Sequence, residues 1–281
     1  MSSVQRQREA LGHRLRQLRK DARLTNRALA AKLKWPPSKV SKLENGQQTP
    51  TRDDIEAWCK ALDEGHTVAD LVDRLADLKS LYSEYRDRYR LGARSVQIVL
   101  GDLEAGTETF RVVETAVVPG LLQTPDYARS LLSEAIDFND GADDLDAAVA
   151  QRMARQSILY DSHRRFHVVV SEAVLWHRVA TVDVMAAQID RLGMLTAARQ
   201  VRLGIVPFSA TWRLSPAHAF WIYDDTTVVV ETIAADVTLT QPDEIATYVR
   251  AFEAYAGSAV YGAPARRILT EALVKLDESP E

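Results

Sequence analysis

LTNRALAAKLKWPPSKVSKLENGQQTPT, residues 24–51, reads as two short helices joined by a tight turn. Thr25 can cap the first helix through its hydroxyl, and Ala28, Leu29 and Leu33 are spaced to pack it inward. Pro36 and Pro37 lack amide donors, which confines them to the turn or to the opening turn of a helix and places a second helix start near Pro37. From there Val40 and Leu43 point inward, while Ser38, Lys39, Ser41 and Lys42 point outward. A face of short polar and cationic side chains suits the major groove of DNA, where lysines meet guanine edges or phosphates and serines meet almost any base.

The segments LTNRALAAKL, SKVSKLENG and the following TP resemble the lambda-repressor-like helix-turn-helix domain of XRE-class bacterial regulators. The resemblance covers about residues 11–71, with a preceding helix in LGHRLRQLRKDARLT and a following one in TRDDIEAWCKAL. It implies that residues 37–44 lie in the major groove, with Ser38, Lys39, Ser41 and Lys42 nearest the bases and Pro37 and Asn45 at the ends of that helix. Asn26, Arg27, Lys32 and the backbone near Gly46 would then meet phosphates, while Arg14 and Arg19 add long-range attraction. The position of Asn26 is usually glutamine in such domains, where its amide braces the recognition helix or contacts a phosphate. Glu44 reads as structural, because a carboxylate aimed at DNA would be repelled.

Charge points the same way. Residues 1–50 hold twelve lysines and arginines against three acids, net +9; the whole chain is −4, so the remaining 231 residues carry −13. A basic head on an acidic body is what a phosphate-binding module on a soluble carrier requires.

With 281 residues, 46% of them hydrophobic, the chain is long enough for about two domains with full cores. No apolar run reaches the roughly 18 residues that span a bilayer, and MSSVQRQREALGHR lacks the apolar core of a signal peptide. A cytoplasmic, nucleoid-associated protein without membrane contact is expected. The single cysteine, Cys59, excludes a disulfide framework and reads as buried helix packing.

Three domains are expected: a helix-turn-helix unit over 1–70, a helical connector over 71–106, and an α+β domain over 107–281. In the connector, Leu71, Leu75, Leu78, Tyr82, Tyr85 and Tyr89 recur at spacings of three and four, an a/d stripe along one helix. The stripe is either a dimer seam or the face by which the helix docks on the second domain; three bulky tyrosines favour docking. Gly92 ends the run, and a short helix over 95–105 follows.

Beyond Gly106, β-branched runs at 110–118, 166–171, 201–206, 219–223 and 228–233 predict strands, the last two forming a hairpin around 224–227. Between them, helices are predicted from Pro125 with Thr124 as cap, over 143–160, over 182–200 with Thr181 as cap, to about Ala256 with a Thr240/Asp243 capping box, and over 264–276. Together these predict a mixed sheet with helices packed against it.

VVPGLLQTPDYARSLL (117–132), with RMARQ (152–156), VVVSEAVLWHRV (168–179), VMAAQIDRL (184–192) and VPFSA (206–210), resembles an actinomycete domain of unassigned function that follows XRE heads. The resemblance spans about residues 82–276. It implies a regulatory body and a small acidic partner protein encoded nearby. Physically, the Pro119–Gly120 turn presents Gln123 and Thr124 at a helix start, where backbone amides attract a carboxylate; with Tyr127 these are the candidate ligand or partner residues. A turn held by Gln123 bonding to neighbouring backbone is the competing reading, and Tyr127 also suits the core.

Enzyme readings are weaker. HRRFH puts His163 and His167 four apart, but the second opens a β run, so the pair does not share a helical face for a metal. Ser209, His218 and Asp224 lack a G-x-S-x-G elbow, and in GDLEAGT (101–107) a threonine replaces the phosphate-binding lysine of a P-loop. No catalytic residue, metal or cofactor is expected. Two functions remain: a sequence-specific, homodimeric DNA-binding regulator, or a protein-interaction module whose head only tethers it to DNA.

Overall fold

Hydrophobic spacing and helix punctuation in the first third of the chain generate five helices. The structure, a computed structural model, describes residues 3–277, with side chains over 5–78 and 88–276. The chain divides into two compact units, 1–83 and 84–281.

In the first unit, α1 (Ser3–Asp21), α2 (Asn26–Leu33), α3 (Pro37–Glu44), α4 (Arg52–Leu62) and α5 (Val68–Leu81) bury Leu11, Leu15, Leu29, Val40, Ile55 and Trp58. Cys59 is also buried, and desolvation raises its thiol pKa, which disfavours the reactive thiolate. The inward pair of α2 is Leu29 and Ala30; Ala28 is exposed and Leu33 half-buried, because α3 and α4 cover a face one residue further round.

The predicted connector does not form one helix. α5 stops at Leu81, an extended segment β1 (Tyr82–Glu84) follows, then α6 (Tyr85–Arg90) and α7 (Ala93–Ala105). Leu71, Leu75 and Leu78 are buried and α5 packs on α1 and α4, so this part of the stripe belongs to the helix-turn-helix unit. Tyr89 is buried in the second unit, while the side chains of Tyr82 and Tyr85 fall outside the described residues.

The second unit continues with β2 (Thr109–Glu114), α8 (Pro125–Phe138), α9 (Leu145–Arg155), β3 (Arg165–Ser171), α10 (Val182–Leu195) and β4 (Val201–Val206). It ends with β5 (Phe220–Tyr223), β6 (Thr227–Glu231), β7 (Ala235–Leu239), α11 (Pro242–Ala256), β8 (Val260–Tyr261) and α12 (Ala263–Asp277). Its strands run in the order β7-β6-β5-β2-β3-β4-β8, parallel for β2-β3-β4 and antiparallel elsewhere.

Period-two alternation splits the strands between two cores. Phe110, Val112, Val168, Leu203, Trp221 and Tyr223 join the core that includes residues of α8, α10 and α12, whereas Val113, Val169, Phe220, Ile222 and Val228 meet α11. The result is an all-helical N-terminal domain followed by an α+β domain with a mixed sheet.

Some local expectations shift. The first strand ends at Glu114 and not at 118, and the helix predicted over 143–160 stops at Arg155, with a 3₁₀ turn over Gln156–Tyr160. α10 ends at Leu195, and Thr181 sits at its cap position without a side-chain bond. Gln241, not Thr240, precedes α11, so the predicted capping box does not form. The hairpin is present: Asp224 takes φ 49° between β5 and β6 and accepts from Glu108 N and Thr109 N, tying the turn to the start of β2.

Candidate nucleic-acid interface and a buried cavity

α2 and α3 form the helix-turn-helix because local chemistry leaves few alternatives. Thr25, extended at φ −76° and ψ 160°, accepts from Ala28 N at 3.1 Å; Lys34 ends α2 in the left-handed region; Pro36 and Pro37 take the cap and first positions of α3.

Four contacts then hold α3 in place. A Cβ at Gly12 would lie 2.5 Å from Leu43 O, so only glycine lets α1 approach α3 this closely. Arg19 forks onto Glu44, Nε to Oε1 at 2.5 Å and Nη2 to Oε2 at 2.9 Å, and its Nη1 reaches Leu24 O at 2.6 Å. Lys39 Nζ lies 2.6 Å from Asp54 Oδ1 and 4.0 Å from the centroid of the Trp35 ring. Asn26 lies between Pro37 O at 3.1 Å and Ser41 N at 3.3 Å, and pairs with both when its nitrogen faces the carbonyl.

These contacts sort the sequence-predicted residues. Arg27, Lys32, Pro37, Ser38, Lys42 and Asn45 are exposed; Ser41 is half-buried, its Oγ accepting from Asn45 Nδ2 at 3.3 Å. Asn26 braces α3 from within the unit. Lys39 was expected among the base-contacting residues, but Asp54 and Trp35 draw it inward. Gly46 is buried at φ 63°, a Cβ there would meet Glu9 Cα at 2.9 Å, and its amide is given to Leu43 O, so its backbone is not offered to a phosphate. Arg19 is buried against Glu44 and is no free surface cation; Glu44 is structural, as expected.

Exposed Arg23 and Lys34, both with positive φ in the turns flanking α2, and exposed Gln47 and Gln48 after α3 extend the polar face and were missed. The helix ends on either side of α2 were the available signal.

In the second unit the predicted carboxylate site at the start of α8 is already filled. Gln123 is 2% exposed; it donates to Val118 O at 2.7 Å and accepts from Arg152 Nη1 at 2.8 Å. Thr124 caps Tyr127 N and gives its own amide to Gln188 Oε1 at 2.7 Å, while buried Tyr127 accepts from Val118 N. Thr124 and Tyr127 therefore build the turn, and Gln123 alone reaches a cavity.

That cavity, of about 180 Å³, lies among α7, α8, α9, β2, β5 and β6. Arg155 forks onto Glu104 at 2.8 and 2.5 Å, and Gln97 Oε1 accepts from both Arg155 Nη1 and Arg152 Nε. Glu114 accepts from Trp221 Nε1 at 3.0 Å. Burial, and then the charge of Glu231, pushes the Glu114 carboxyl up to about 8; burial, and then Arg155, brings Arg152 down to about 10.

The Glu114 shift has a defined sign. In the unfolded chain this carboxyl ionises near its ordinary value of 4.5, so between there and about 8 the unfolded state loses a proton that the folded state keeps, and stability falls as pH rises through that window. Glu114→Gln is expected to match the wild type below pH ~4 and to exceed it above pH ~8 by roughly 2–5 kcal/mol. Urea unfolding at a series of pH values measures this; a constant difference between the two proteins across the range would refute the shift.

Among the described residues no group of three or more His, Cys, Asp or Glu is placed to hold a metal. His167 pairs with Tyr261, and residues 101–105 of the glycine-containing segment lie within α7 and not in a phosphate loop. No helix among the described residues is long and apolar enough to cross a membrane.

Comparison with known proteins agrees with the two-unit layout. A model described as a helix-turn-helix domain matches residues 10–75, and one described as Domain of unknown function (DUF5753) matches residues 98–271. No curated protein matches the chain. Solved structures include the archaeal chromatin protein TrmBL2, reported to show a novel mode of DNA binding. It is 10% identical with a TM-score of 0.33 over 85% of this chain and 88% of that one, a likeness too slight to carry anything across. The helix-turn-helix domain points to DNA binding. With the second match covering more than half of its length, the chain belongs to the DUF5753 family, its domain preceded here by a helix-turn-helix.

Proposed function

We propose that this protein is a sequence-specific transcriptional regulator of actinomycete type, in which α3 reads the major groove and the C-terminal domain receives a ligand or a small acidic partner protein. It acts as a homodimer in the cytoplasm, on the nucleoid, and has no enzymatic activity. The observation that supports this best is the outer face of the helix-turn-helix. Ser38 and Lys42 stand exposed on α3, flanked by exposed Arg27, Lys32 and Lys34 on and after α2, while the nearby acids Glu44 and Asp54 are each held by a cation. Cations placed for phosphates and short polar groups placed for base edges are the two parts of a sequence reader. A dimer would place its half-sites about 34–36 Å apart or at multiples of that spacing.

Selection of bound fragments from random DNA, followed by titration of salt, tests the reading. Affinity for the selected site should fall linearly in log[salt] and exceed that for random duplex by roughly 10³ or more. Lys42→Ala should cost about 1–3 kcal/mol on the selected site and relax preference at one position, whereas Lys32→Ala should weaken all sequences alike and lower the salt slope by about 1. Equal losses from both variants on every sequence would reject base reading and favour a head that merely tethers the protein to DNA.

A further inference from the structure

Arg152 is a charge of the α+β domain's interior that no carboxylate bonds directly, its nearest opposite charges being Glu231 and Glu104 on the same cavity. Its neighbour Arg155 is neutralised by a two-pronged pair with Glu104, but Arg152 is held by two uncharged amides, Nε on Gln97 at 3.0 Å and Nη1 on Gln123 at 2.8 Å. Its Nη2 takes neither bond. A guanidinium withdrawn from water and given only amides has donor capacity that suits an anion.

The cavity that Arg152 lines is not closed. A second space of about 480 Å³ shares Tyr89, Val117, Leu131, Ala135 and Glu231 with it and extends to Phe138 and Ile233, which are 71% and 82% exposed. A polar inner chamber thus continues into a largely apolar vestibule that reaches the surface, a combination typical of small-molecule sites. Glu114, which keeps its proton at neutral pH, offers the chamber a donor as well as an acceptor. Glu231, where the two spaces meet, shares the cavity with Arg152 and opposes a second negative charge on a ligand held there. The remaining acid–base groups nearby are closed on one another: Glu104 with Arg155, and Asp236 with Arg88.

We propose that this cavity binds a small organic monocarboxylate with an apolar body, its carboxylate on Arg152 and its body lying along Leu131 and Ala135 toward Phe138. The proposal rests on the signal-receiving reading above and names the chemistry of the signal. A free inorganic anion would leave the vestibule empty, and an amine would meet Arg152 with like charge.

The test uses the full chain. Hexanoate, octanoate, decanoate, benzoate and phenylacetate, each with its primary amide and amine counterpart and with inorganic phosphate as the bodiless anion, are added at up to about 10 mM while thermal unfolding and tryptophan fluorescence are followed. At least one acid should raise the melting temperature by about 3 °C or more, with its amide, its amine and phosphate inert. Arg152→Gln should abolish the response. Because that change also unties Gln97 and Gln123, Ala135→Leu serves as the second variant: it narrows the vestibule, leaves the Arg152 bonds intact, and should weaken binding at least tenfold. Silence from every acid, an equal response to amide or amine, or an undiminished response in both variants overturns the proposal. Binding to the selected DNA site is measured on the same samples. DNA recognition without acid binding sinks the ligand assignment alone, and acid binding without DNA recognition sinks the regulator reading alone.

Discussion

Arg19→Met should destabilise the helix-turn-helix unit by about 3–5 kcal/mol, the cost of stranding a buried charge. Glu44 is 5% exposed, and Arg19 supplies both of its close contacts, with Arg16 only at 4.0 Å. The same guanidinium also holds Leu24 O, just before the cap residue of α2, so α1, the α1–α2 loop and the end of α3 all lose an anchor together. For a unit of this size each kcal/mol moves the midpoint by about 4–8 °C, which puts the expected fall above 10 °C. The transition of this unit should shift alone in calorimetry, and DNA binding should vanish at temperatures where the wild type still binds. The double change Arg19→Met with Glu44→Met should recover much of the loss, because apolar residues of similar volume often replace buried pairs without penalty. A single variant within 1 kcal/mol of wild type would mean that water reaches Glu44.

Arg155→Met should have an effect of similar size in the other unit. Glu104 is 1% exposed and accepts both prongs of Arg155, and Gln97, also 1% exposed, accepts from Arg155 Nη1 at 2.5 Å. Removing the guanidinium leaves a carboxylate deep in the protein and frees Arg152 to turn toward it. A loss of about 3–5 kcal/mol is expected, confined to the unfolding of residues 84–281 and additive with Arg19→Met. Non-additivity beyond about 0.5 kcal/mol would show that the units do not unfold independently.

What was legible from sequence was set by local chemistry. The Thr25 cap and the Pro36–Pro37 entry to α3 each depend on residues within a few positions, and both formed as read. The β5–β6 hairpin and the cap at Thr124 belong to the same class. Errors arose where a partner is distant in sequence. Nothing near Lys39 announces that Asp54, fifteen residues on, will draw it in, and nothing near Thr124 announces Gln188. The cavity was invisible for that reason: Glu104, Glu114, Gln123, Arg152 and Trp221 come from separate elements, and although Glu104, Gln123 and Arg152 stood in segments singled out beforehand, nothing local brings those segments together. β7 and β8 were missed because one carries Asp and Thr among its apolar residues and the other is two residues long. The 71–89 stripe misled because heptad spacing continues across β1, where the backbone leaves the helix.

Asp54 carries a consequence for anyone retargeting this protein. One of its oxygens receives Thr51 N at the start of α4 and the other receives Lys39 from α3, so a single carboxylate ties α3 to the start of the helix behind it. A combinatorial library that randomises Lys39 along with its neighbours would remove this tie between α3 and α4 in most of its members. If α3 reads DNA as proposed, diversity placed at Ser38, Ser41 and Lys42, with the Lys39–Asp54 strut left intact, should alter DNA preference on an unchanged scaffold.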